Sequence, residues 1–132
     1  MYYIGIDISK FKHDCAVIDD FGEIVTPSWS FTNDSEGFSQ LKLLLDSLDA
    51  ETRIGLESTG HYGMNLKLFL ESNNFSFMEF NPLLINRFVK SKSLRKTKSD
   101  SIDCMMIAHY LMTVEYKPSP PSFYHTEKLK SL

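Results

Sequence analysis

The chain predicts one α/β domain built on a mixed five-stranded sheet with helices on both faces. Three observations lead to that class. Its 132 residues are 42% apolar, enough for one sizeable core and too few for a second full domain. The first thirty residues hold three apolar runs separated by turn residues, the pattern of an antiparallel meander. From Asn33 onward, helical periodicity alternates with short strand-like runs.

Taken in order, Tyr2, Tyr3, Ile4, Gly5 and Ile6 form a buried central strand that ends at Asp7. Ile8 to Lys12 is a turn, and His13 to Asp19 alternates as a partner strand. Asp20, Phe21 and Gly22 make a hairpin turn into a third strand from Glu23 to about Phe31. Although these three also spell a kinase tripeptide, neither a glycine-rich loop nor a strand lysine accompanies them. Asn33 to Ser35 caps a helix whose Phe38, Leu41, Leu44, Leu45 and Leu48 keep helical spacing. Arg53, Ile54, Gly55 and Leu56 lead to Glu57, and Ser58, Thr59 and Gly60 follow as a strand-to-helix turn. A second helix from about Gly60 to Ser72 leads to a strand from Phe75 to Phe80. Asn81 and Pro82 start a short helix through Val89, and a last helix from about Ser99, its cap, runs to Val114. Three strands, then alternating helices and strands, is the order of a ribonuclease-H-like fold. The domain is expected over residues 1–116. Residues 117–132, opening on Lys117, Pro118, Ser119, Pro120 and Pro121, read as a linker and the start of a truncated element of a longer protein.

The net charge of -3 gives no global sign of a nucleic-acid binder, but the charge is unevenly spread. Arg87, Lys90, Lys92, Arg95, Lys96 and Lys98 form a run without a single acid. Cys15 and Cys104 have neither metal-ligand spacing nor the density of a disulfide scaffold. No apolar stretch reaches the length of a membrane span and no signal peptide is visible, so a cytoplasmic protein without a membrane partner is expected.

Four carboxylates carry the chemistry. Asp7 and Glu57 close two buried strands, at the carboxyl ends where open α/β sheets place ligands. Asp100 and Asp103, three apart, share one face in the first turn of the last helix. Taken alone, that pair also fits first-turn acids complementing a helix dipole. Two unit charges ~4 Å apart repel by about 4 kcal/mol at an effective dielectric of ~20, so four converging acids call for bound cations. Oxygen ligands select magnesium or manganese over zinc. The basic run leads into the Asp100–Asp103 helix, so phosphates held by Lys90, Lys92, Arg95, Lys96 and Lys98 would reach the metals.

At these residues a family resemblance becomes specific. Ile4 to Lys10, Glu57 to Tyr62 and Lys98 to Cys104 resemble, in order and spacing, three motifs of the DEDD-type insertion-sequence transposases of the class numbered one hundred and ten, relatives of the pilin-gene invertases. Ser99 stands for the family's threonine and Cys104 for its alanine. The resemblance implies a fold like that of the RuvC-type Holliday-junction resolvase, with Asp7, Glu57, Asp100 and Asp103 as catalytic metal ligands; on that basis two metal ions are expected, with Asp7, on the central strand, bridging them. It implies a DNA substrate, a structured guide RNA, a homo-oligomer in the full-length protein, and a serine nucleophile in a further carboxyl-terminal domain. Two other classes compete: a nucleic-acid-binding module without catalysis, and an actin-like ATPase or sugar kinase, which needs a duplicated domain and a glycine-rich phosphate loop.

Overall fold

A computed structural model describes residues 1–57, 60–91 and 103–119. The strands are β1 (Tyr2–Ile8), β2 (Lys12–Asp19), β3 (Ile24–Thr32), β4 (Thr52–Glu57) and β5 (Met78–Phe80). The helices are α1 (Ser35–Ser47), α2 (Met64–Ser72), α3 (Pro82–Ser91) and α4 (Cys104–Thr113), with a 3-10 turn at Gly60–Gly63. One sheet runs in the order β3-β2-β1-β4-β5. β1, β2 and β3 are antiparallel neighbours, whereas β4 joins β1, and β5 joins β4, in parallel. The expected mixed five-stranded α/β sheet is what the chain forms.

Local chemistry sets the element ends. Asp19 Oδ1 accepts from the backbone N–H groups of Phe21 and Glu23, which ties the β2–β3 hairpin where the turn was expected. Asp34 caps α1, accepting from Gly37 N–H at 2.9 Å, and Asn81 accepts from Leu83 N–H at 2.9 Å ahead of Pro82 at the start of α3. Three boundaries differ from expectation by three residues or more. α2 begins at Met64, because Gly60–Gly63 winds tighter and Gly63 offers no capping side chain. β5 begins at Met78, since Phe75 N–H is drawn back to Leu70 O to close α2 behind the left-handed Asn74. α4 begins at Cys104, capped by Asp103 and not by Ser99.

Alternation along β1 divides the core in two. Ile4, Ile6 and Ile8 pack with Phe38, Leu41 and Leu45 of α1 and Leu66 and Leu70 of α2. The opposite face carries Phe80, Ile85, Val89, Ile107 and Leu111, from β5, α3 and α4, with Tyr3 packed against them. Gly5 and Gly55 lie on that second face, paired with each other across β1 and β4. A Cβ on Gly5 would sit 2.1 Å from Cys104 O and 2.5 Å from Ala108 N, so α4 rests on the bare backbone of β1. At Gly55 the nearest atom would be the ring of Phe80, at 2.7 Å. Beyond α4, Tyr116 pairs with Ser76 at 2.9 Å and lies under Arg53, and Ser119 N–H donates to Phe77 O at 2.7 Å.

Because the atoms opposing Gly5 are helix backbone, Gly5→Ala should cost about 2–4 kcal/mol in urea unfolding. Gly55→Ala opposes a ring that can turn and should cost about 1–2 kcal/mol. Equal midpoints for Gly5→Ala and the unmutated chain would show that α4 can lift off β1 without penalty.

Candidate metal centre

The glycine floor decides where the acids go. Asp7 lies two residues beyond Gly5 and Glu57 two beyond Gly55, so each shares its glycine's face of the sheet. The parallel pairs Gly5–Gly55 and Ile6–Leu56 lead on to set Asp7 beside Glu57 at the carboxyl ends of the two central strands. Helix α4, held down on Gly5, starts directly above them and carries Asp103 at its N-cap. Asp103 has extended backbone, and its Oδ1 accepts from Met106 N–H at 2.9 Å.

A fourth acid completes the group, and it is one that motif reading passed over. Asp14 of β2 pairs across the antiparallel ladder with Asp7 and is held by Ser30 of β3, whose hydroxyl donates to its Oδ1 at 2.5 Å. The signal was available: a three-residue connection after Ile8 sets Ile8 opposite His13, which forces Asp7 opposite Asp14. Burial, followed by the charges of Glu57, Asp14 and Asp103, pushes the Asp7 carboxyl up to about 6. Glu57 is raised by burial as well. Among the described residues, no lysine or arginine forms an ion pair with Asp7, Asp14, Glu57 or Asp103.

Three of the four expected ligands, Asp7, Glu57 and Asp103, therefore share one end of one face. Asp100 lies outside the described residues, and the expected pairing of Asp100 with Asp103 on a helical turn fails at Asp103, which precedes the helix. Aspartate caps well because its short side chain reaches the free N–H groups of the first turn. Among the described residues no three acidic, imidazole or thiol side chains surround a common point closely enough to enclose an ion. The donor set nonetheless suits a hard cation: it is all carboxylate oxygen, partly desolvated and uncompensated.

The cysteines and His13 are buried, and the charges of Asp103, Asp14 and Asp7 reach the Cys104 thiol. Cys15 and Cys104 are free and buried. Burial raises both thiols, and Cys104 interacts with Ser28 Oγ at 3.3 Å. His13 is buried, accepts from Ser9 N–H at Nδ1, and is lowered by desolvation. Of the basic positions, Lys90 is exposed in the last turn of α3. Lys92, Arg95, Lys96 and Lys98 lie outside the described residues.

The DEDD transposase family model of the IS110 kind matches residues 4–132. This chain belongs to that transposase family. The pilin gene-inverting protein of Moraxella bovis is 32% identical over 111 residues, 82% of this chain and 33% of the relative. That of Moraxella lacunata matches with the same identity and coverage. The chain spans about a third of the length of the curated relatives it matches. The matched range includes Asp7, Asp14, Glu57 and Asp103. Among the described residues no helix is long and apolar enough to cross a membrane.

The raised Asp7 carboxyl makes a signed prediction. Its folded value of about 6 exceeds the ordinary 3.8, so the folded state holds the proton longer and loses stability as pH rises from about 4 to about 6. Asp7→Asn should abolish this component. The variant should match the unmutated chain at pH 4 and exceed it at pH 7.5 by on the order of 1–2 kcal/mol, after discounting for partial solvent screening. Parallel stability-versus-pH curves for the two proteins would place Asp7 in bulk-like water.

Proposed function

We propose that this chain is the metal-binding half of a DNA recombinase of ribonuclease-H-like, RuvC-like fold, in which Asp7, Glu57, Asp100 and Asp103 hold magnesium or manganese. The observation that carries the reading is the parallel register that sets Asp7 beside Glu57 beneath the N-cap Asp103. Bound there, the cations supply Lewis-acid stabilisation of the charge that develops on a scissile phosphate.

The chain's own groups do the rest. Asp7 and Glu57 project from adjoining strands whose spacing is set by backbone hydrogen bonds, so their separation is rigid before any ligand arrives. Asp103 spends Oδ1 on Met106 N–H, which fixes its carboxylate plane and leaves Oδ2 for a ligand. Lys90, Lys92, Arg95, Lys96 and Lys98 hold the nucleic-acid backbone without reading bases. The attacking hydroxyl comes from a serine of a further domain, with a structured RNA choosing the target and a homo-oligomer bringing ends together in the cytoplasm. The roughly threefold greater length of the relatives supports the further domain, and the inversion in their names supports strand exchange. The rival reading, a binding module in which the acids only fold the chain, draws on the capping role of Asp103.

Substitution at Asp103 separates the two. Asparagine retains the cap and removes the charge, so Asp103→Asn in the full-length recombinase should keep its melting temperature while losing at least about 100-fold in strand exchange. Asp103→Ala should lose both, with about 1 kcal/mol of stability. Full exchange by the Asn variant would leave Asp103 as a cap alone. Millimolar magnesium should raise the melting temperature of the unmutated chain and leave that of Asp7→Asn nearly unchanged.

If the basic run neutralises about five phosphates, log affinity should fall against log salt with a slope near -4.5 for duplex DNA and about -3.5 for single strands. Replacing Lys92, Arg95 and Lys96 by alanine should flatten that slope by roughly two to three units. An unaltered slope would move the phosphate contacts elsewhere.

A further inference from the structure

We propose that Phe11 and Tyr62, on the two loops that leave the sheet just past Asp7 and Glu57, form a stacking subsite for an unpaired nucleobase, with Lys10 on its phosphate. This rests on the nucleic-acid reading above and adds the state of the strand at the acidic end: single, with a base turned out.

Phe11 is 76% exposed and Tyr62 40% exposed. The other large exposed apolar side chains lie elsewhere. Phe21, Ile24 and Val25 are at the hairpin on the far end of the sheet, Leu43 is on α1, and Leu83 and Leu84 are on α3. Next to the carboxylates, then, the exposed apolar side chains among the described residues are aromatic. Flat rings with open faces suit a nucleobase, since every base offers a π-face and stacking needs no matched hydrogen bonds. A cation comes with them: Lys10 Nζ lies 5.1 Å from the Phe11 ring centre. On the other loop the His61 ring supports Tyr62, at 4.6 Å between centres.

The loop backbones that carry the rings are held in place before any ligand binds. Asn33 ties both loops together: its backbone N–H donates to Phe11 O at 2.9 Å, and its Nδ2 donates to Lys10 O at 3.1 Å and Tyr62 O at 3.3 Å. Beneath, Ser9 N–H donates to His13 Nδ1, and Ser9 Oγ donates to Lys12 O. One side-chain amide thus sets the separation of the two loop backbones, and side chains presented by so constrained a frame lose little entropy on binding. In a duplex each base is already stacked on both faces, so this surface discriminates in favour of strands whose bases are free.

The test uses the full chain with a 15-nucleotide single strand carrying 2-aminopurine, and the matching duplex. The unmutated protein should quench the 2-aminopurine. Phe11→Ala and Tyr62→Ala should each weaken single-strand binding by roughly 5- to 100-fold and relieve quenching, with duplex affinity altered less than about twofold. Their salt slopes should not change, whereas Lys10→Ala should lower the slope by about one unit. Phe11→Trp should restore both affinity and quenching, which separates loss of an aromatic face from loop damage. Equal losses on single strand and duplex, or no loss on either, would overturn the stacking subsite while leaving the metal-site reading standing. A self-association that disappears in Phe11→Ala with nucleic-acid binding intact would overturn it too, assigning the rings to a second copy of the chain. Binding of neither nucleic acid by the unmutated chain would overturn this inference together with the function on which it rests.

Discussion

Contact between helix α4 and the naked backbone of β1 is the constraint from which the acidic end follows. A side chain on Gly5 would collide with the Cys104 carbonyl and the Ala108 amide, so the helix can lie this low only over glycine. That depth brings the N-cap residue down to the level of the strand ends. Had Gly5 carried a methyl group, α4 would stand off the sheet, and Asp103 would no longer add its charge to the field at Asp7. Packing and chemistry are therefore one arrangement, with Ile107 and Leu111 anchoring the helix on the apolar side and Asp103 delivered at its open end.

The acidic end is a place where the folded chain is in conflict with itself. Asp7 faces Asp14 across one ladder, adjoins Glu57 along the other and lies beneath Asp103, with no ion-pair partner among the described residues. Hydrophobic burial on both faces of the sheet holds these like charges together. Such local disagreement with an otherwise consistent fold is what a functional site looks like energetically, because selection for binding tolerates repulsion that selection for stability alone removes. Ser30 shows how part of the strain is contained: its hydroxyl on Asp14 spreads that carboxylate's charge without neutralising it.

Much of this was legible in the sequence, and the reasons differ from element to element. Asp7 and Glu57 stood out because a carboxylate after a run such as Tyr3, Ile4, Gly5, Ile6 has no place in a core. The hairpin, the order of the strands and the caps of α1 and α3 followed from local residue chemistry. Where α4 begins did not, since Ser99 and Asp103 are both good caps, and the choice is made by how the helix seats on Gly5, a contact between residues about a hundred positions apart. Asp14 escaped for a related reason: it is unremarkable in its own strand and becomes significant only through the cross-strand register. β5 was drawn too long because Phe75 was credited to the strand, while its N–H closes α2. The basic positions from Lys92 to Lys98 and Asp100 lie outside the described residues.

Asn33 sits outside every motif, yet it joins two loops that are far apart in sequence and neighbours at the rim. Each of its hydrogen bonds has a net value of only about 0.5–1.5 kcal/mol, but they share one residue and so break or hold as a unit. The rim consequently behaves as one body: a displacement that lifts the Phe11 loop strains the Tyr62 loop through the same amide. In the function proposed above, this makes the two loops one support for a bound strand instead of two independent ones. The ordering entropy of both loops is met once, during folding, and not again at each encounter.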